Sequence, residues 1–213
     1  MTTASQLRAV LLPREALLFL FLAGTSGLAV LAHSYDALPM SFTVPFVVLP
    51  AGIVLAGAIL LGQGRVGRLH AYSRALMIGA VVGLFATLLY DAVRPLITWL
   101  MGARYDPYRA MPIFGQLMTG LPGQDARSLA AGWTYHFWNG ISFGMVYSLL
   151  RPRGGSLTGL AWGLALQVLM MAAYPSLLQA RLDDPAFMAT GIVGHSLWGA
   201  ALGYGVARWS AHA

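Results

Sequence analysis

The chain has 213 residues, 58% hydrophobic and 9% charged, with a net charge of +6 and a mean hydropathy of +0.68. So small a charged fraction, against roughly 25% in soluble domains, excludes an ordinary soluble core and points to an all-α membrane protein. All 13 basic residues are arginines in or beside apolar runs, a pattern that argues against nucleic-acid binding; the absence of cysteine excludes disulfides, iron–sulfur clusters and thiol catalysis.

Taken in chain order, the apolar runs predict a polytopic bundle of about six transmembrane helices, since a span takes about 20 residues. The first run, residues 15–32, follows Arg8 and Arg14. It also fits a secretory leader ending at Val30-Leu31-Ala32, and the six-span reading keeps it as a helix. The second is 43–62, with Pro45 in its first turn and Pro50 expected to bend it. The third, 75–101, would be about 40 Å long, which exceeds the bilayer core and demands a tilt or a kink near Pro95. An outer loop, 102–130, reads as surface connection, with 110–118 as an alternative interfacial helix or lid. The remaining spans are 131–150, 156–178 and 187–209, and the whole of 1–213 reads as one integral-membrane domain.

Arginine placement orients these spans. Arg8, Arg14, Arg65, Arg68, Arg74, Arg151, Arg153 and Arg208 fall on one side, against Arg104, Arg109, Arg127 and Arg181 on the other. By the positive-inside rule both termini are expected in the cytoplasm, as in a multi-pass protein of a bacterial inner membrane.

That topology gives each intramembrane polar residue a depth. His136 falls roughly 8 Å and His195 roughly 12 Å below the outer surface, counting 1.5 Å per helical residue. Tyr90, Asp91, Arg94, Asn139, Tyr174, Gln179 and Trp198, with His33 and Asp36 near the outer end of the first helix, are expected in the same half, and Gln167 near the middle. Ionisable side chains persist in lipid where they pair or line a cavity, so an outer polar pocket is predicted. The four-residue rhythm of Gly132, His136, Gly140 and Gly144 returns in Gly191, His195, Gly199 and Gly203. Each rhythm places a histidine beside a glycine face that lets another body come close. Ala75, Gly79, Gly83 and Thr87 form a further small-residue ridge leading to Asp91, expected to pack antiparallel on Gly140 and Gly144 and bring Asp91 near His136.

Several chemistries suit such a pocket. Its histidines can simply bond across helices, or the pocket can bind or sense a small ligand or protons. The glycine faces also suit a membrane-protein partner, a second copy of the chain, or a place in a larger complex. Alternatives are haem b clasped by His136 and His195, a metal held by His136, His195 and His33 with outer methionines, or proton-coupled transport through Asp91. General base catalysis on a lipid is conceivable, but no HExxH motif, nucleophile elbow or phosphate-cradling loop is present, so a non-enzymatic role is expected. Trp133, Tyr135, Trp138 and Trp209 read as interfacial anchors.

Tyr135-His136 with 143–147, then 159–167, Tyr174-Pro175 and Gly194-His195-Ser196-Leu197-Trp198, resemble in their order the YagU-like family of bacterial inner-membrane proteins. The resemblance covers the C-terminal part of the chain. It implies an inner-membrane helical protein of unassigned chemistry, with a suspected link to acid tolerance.

Overall fold

The computed structural model describes residues 13–173, 176–177 and 182–211; Arg8, Tyr174, Gln179 and Arg181 lie outside them. The described residues form helices and no sheet. The helices are α1 (Arg14–Ser34), α2 (Met40–Gly62), α3 (Arg68–Leu100), α4 (Ala110–Thr119), α5 (Ala126–Leu150), α6 (Gly155–Ala173) and α7 (Pro185–Ala211).

Four of these, α1, α2, α3 and α6, are long and apolar enough to cross a membrane. α5 and α7 have the length, 25 and 27 residues, but carry His136 and His195 and several further polar residues. Their positions explain the difference. α5 packs against α1, α3 and α4 and exposes no large hydrophobic side chain, and α7 turns its polar and glycine faces to α3 and α6 while Ile192, Val193, Leu197, Tyr204 and Trp209 stay exposed. α2 is the opposite case: only 17% of its most apolar window is buried, and Phe46, Ile53, Leu60 and Leu61 point outward.

Pro45 stands past the first turn rather than in it, because the helix begins at Met40 and not at 43. α2 widens to a π-helix over Val44–Val48, directly before Pro50. The wider turn gives the Pro50 ring room against the carbonyl four residues back, at Phe46. Pro95 lies inside α3, which at 33 residues is longer than the predicted 75–101 because it begins at Arg68. The predicted outer loop contains α4, which buries Met111, Phe114 and Gly115, and α5 starts earlier than predicted because Asp125 caps it by accepting from the Arg127 N–H.

Two glycine seams set the helix order. In the α3–α5 seam, a Cβ on Gly79 would stand 2.5 Å from the Gly144 carbonyl oxygen, and one on Gly83 2.5 Å from that of Gly140. In the α6–α7 seam, Gly159 and Gly163 meet Gly199, Gly203 and the His195 carbonyl equally closely. The glycine faces that the sequence offered to an outside body are therefore filled from within the chain by α3, α6 and, at Gly132, by α4. Joined through α3 and α7, the seams produce an arc in the order α1, α5, α3, α7, α6, with α2 outside it against α1 and α3.

Because both sides of a seam are backbone, neither can yield to an added methyl. Gly83→Ala is expected to cost about 1–3 kcal/mol, as overpacking does. Gly24→Ala, whose Cβ would meet nothing within 4 Å, is expected to be neutral or stabilising by up to about 1 kcal/mol through helix propensity. Thermal unfolding of the two variants in lipid nanodiscs checks the contrast; equal effects would contradict the seam.

Candidate functional site

The site begins with a defect in α3. Proline has no N–H, so Pro95 cannot serve the carbonyl four residues back, which belongs to Asp91. The Tyr108 hydroxyl, from the connection before α4, donates to that oxygen at 2.8 Å. One turn of the same helix places Arg94 beside the Asp91 side chain, and its Nη2 donates to Oδ1 at 2.8 Å. Nη1 donates to the Pro107 carbonyl at 2.6 Å, so the connection is held at two points. The guanidinium lies over the rings of Tyr90 and Tyr108, 4.4 and 4.9 Å from their centroids. Burial pushes the Tyr108 phenol above its ordinary range, against the pull of the Arg94 charge. Its donor role is therefore complete below the ordinary tyrosine pKa of about 10 and is lost only as pH rises through the higher folded value.

From α5, His136 brings Nε2 to 3.0 Å from both Asp91 oxygens, donating its proton to the carboxylate. Asp91 and Arg94 are 8% and 6% exposed, so this is a buried ion pair with a histidine as third member. From α7, His195 donates Nδ1–H to the Gly191 carbonyl at 2.9 Å, which leaves Nε2 as the acceptor of its neutral ring. Tyr90 touches both imidazoles, with centroids 5.0 Å from His195 and 6.1 Å from His136.

Beside this cluster is a cavity of about 430 Å³. Tyr90, Arg94, His136, Asn139, Gln167 and His195 line its polar side. The connection at Tyr105 to Pro107 and the start of α4 roof it. Tyr105 ties that roof to α7, its hydroxyl donating to the Ala186 carbonyl at 3.3 Å, and burial raises its pKa too. Phe143, Leu166 and Trp198 line the opposite end, where the Trp198 indole N–H donates to Thr87 Oγ1 at 3.1 Å. Compared with known proteins, the chain matches no family model, no curated protein and no solved structure.

The sequence-predicted residues thus separate into groups. Tyr90, Asp91, Arg94, His136 and His195 come together; Asn139 and Trp198 line the adjoining cavity, and Tyr174 lies outside the described residues. His33 sits in the last turn of α1 and does not line the cavity, and of Met40, Met101, Met111 and Met118, the methionines expected to join a metal site, only Met111 does. Among the described residues no three metal-ligating side chains of the His, Cys, Asp and Glu types stand close enough to share an ion.

The haem reading meets three obstacles. His136 Nε2 already faces Asp91, and the glycines that were to admit a porphyrin face are covered by α3 and α6. Tyr90, moreover, lies against both imidazoles. Sequence reasoning missed Tyr105, Pro107 and Tyr108. The unserved Asp91 carbonyl was the available signal, since it demanded a donor without saying which.

Pro95→Ala restores an N–H to α3. In that background the penalty of Tyr108→Phe, about 1 kcal/mol in the native protein, is expected to shrink, and a double-mutant cycle of thermal stabilities measures the coupling. Asp91→Asn leaves the Arg94 guanidinium buried without its counter-ion and is expected to cost about 3–5 kcal/mol, whereas the joint change Asp91→Leu with Arg94→Met costs less. The order of the two melting temperatures tests whether charge or shape dominates here.

Proposed function

We propose that the protein is a six-span inner-membrane protein, termini in the cytoplasm, that binds or senses a small ligand in a recess in the outer half of the bilayer. The observation that carries this reading is the cavity itself. At about 430 Å³ it falls within the roughly 300–1,000 Å³ of small-molecule sites and combines apolar walls with a few convergent polar groups. Asn139 supports it further: its Oδ1 is buried without a hydrogen-bond partner, on the wall of the cavity. A polar atom held in that state destabilises the empty protein and is matched when a ligand supplies a donor.

Arg14, Arg65, Arg68, Arg74, Arg151, Arg153 and Arg208 lie at the helix ends away from Asp91, which supports the assigned orientation. The resemblance to YagU-like proteins supports the same membrane. Beneath the cavity, Val82, Ala86, Leu202 and Val206 belong to one tightly buried cluster, which favours binding over passage to the other side.

Asn139→Leu tests the reading. It removes the unmatched oxygen while roughly keeping volume, so the ligand-free protein in detergent is expected to melt at the same temperature or higher. The same variant is expected to lose small molecules that wild type retains when both are taken gently from native membranes and compared by mass spectrometry. A lower melting temperature with unchanged bound material would mean that Asn139 only braces the helices.

A further inference from the structure

The cavity has a side opening, and its chemistry narrows what can use it. α1 and α6 stand at the two ends of the helix arc and, among the described residues, form no packed interface with each other. Both contribute to the cavity wall. Phe21 and Leu28 of α1 and Leu169 of α6 line it while remaining 58%, 48% and 50% exposed, so these residues form the rim of a gap. Both helices are candidate membrane spans. A gap between two spans faces acyl chains, and the cavity therefore opens toward the hydrocarbon phase. Gly24 widens the opening: it lines the cavity, and a Cβ there would meet nothing within 4 Å.

The polar end selects the headgroup. Arg94 offers no uncompensated charge, because Asp91 neutralises it and Pro107 takes a further N–H. An anionic head would bring a second negative charge beside the Asp91 carboxylate in a low-dielectric site, and a cation would sit beside Arg94. What remains unmatched is a donor and an acceptor, Arg94 Nε and Asn139 Oδ1, both buried without a partner, and beside them is Nε2 of His195, left as the acceptor by the Nδ1–H bond to Gly191. These three residues, on α3, α5 and α7, line the cavity. They fit a head that both donates and accepts hydrogen bonds without carrying charge, as a hydroxyl does.

We infer that the recess takes an uncharged, hydroxyl-headed molecule with a long apolar body, a lipid-phase alcohol or phenol, admitted sideways from the bilayer between α1 and α6. This rests on the ligand-binding reading above. The hydroxyl lies at Asn139 and His195 under the roof of α4 and its preceding connection, and the apolar body lies along α1 and α6 toward the gap.

Photolabelling in lipid nanodiscs tests the inference with a hexadecanol carrying a diazirine, set beside the matching carboxylate and amine and a short water-soluble diazirine alcohol. Labelled positions are mapped by peptide mass spectrometry. The expected result is labelling of cavity-facing positions on α1 and α6 above that of the outward face of α2, competed by unlabelled hexadecanol. Gly24→Phe, which narrows the gap, abolishes it, while Gly57→Phe on α2, also with open space at its Cβ, leaves it intact. Loss of one hydrogen bond in Asn139→Leu lowers competition by about tenfold.

Equal labelling of α2, without competition, would reduce the signal to ordinary lipid contact and overturn the inference. Preference for the carboxylate or the amine would overturn the headgroup assignment while leaving a ligand site in place. Labelling by the short alcohol alone, unaffected by Gly24→Phe, would overturn sideways access while sparing the binding reading. If no probe is competed from the recess, both the inference and the reading beneath it fail.

Discussion

Polar groups that enter hydrocarbon have to find partners inside the protein, and one carbonyl shows how far that requirement reaches. Pro95 leaves the Asp91 oxygen unserved, and Tyr108 supplies the missing donor from outside the helix. That bond, with the one from Arg94 to the Pro107 carbonyl, fixes the connection over the end of α3. With the connection in place, α4 lies across α5 and closes the top of the cavity. A local vacancy in one helix thus positions the roof of the whole recess, and the ion pair next to it orients His136.

Much of the fold was legible because membrane helices announce themselves by length and apolarity. α1, α2, α3 and α6 do so. α5 and α7 were read from the apolar runs 131–150 and 187–209, and their glycine and histidine spacing marked the faces that pack. The proximity of Asp91 and His136 followed from four-residue steps on two antiparallel helices. What spacing could not reveal was which neighbour each glycine face would meet. A face made of Gly199 and Gly203 looks the same whether it awaits a partner, a porphyrin or α6. The side gap was equally hidden, because it depends on α1 and α6 forming no packed interface among the described residues, and no residue pattern marks an interface that does not form. Tyr108 lies in a stretch with no periodicity to place it.

The two seams share a plan and differ at one end. Gly79, Gly83 and Thr87 run along Gly144 and Gly140 and lead to the Asp91 and His136 pair. Gly159 and Gly163 run along Gly203 and Gly199 and lead to Gln167, whose amide rests against Gly191 one turn before His195. The first seam finishes in charge, the second in neutral amide and imidazole. Placed side by side through the packing of α3 on α7, they give the cavity one ionic wall and one uncharged wall. Both walls border the same cavity.

The order of the arc also differs from the order of synthesis. α3 precedes α5 in the chain, so Asp91 and Arg94 belong to one helix and His136 to a later one. Their three-residue separation makes that helix self-sufficient: it carries its own counter-ion, 2.8 Å away. α1 is made earlier still, and its Ser26 carbonyl accepts from Tyr135 of α5 at 2.6 Å. α2, α3 and α4 come between the two in sequence, so this bond, like that of Asp91 with His136, fastens together helices that the chain does not place side by side.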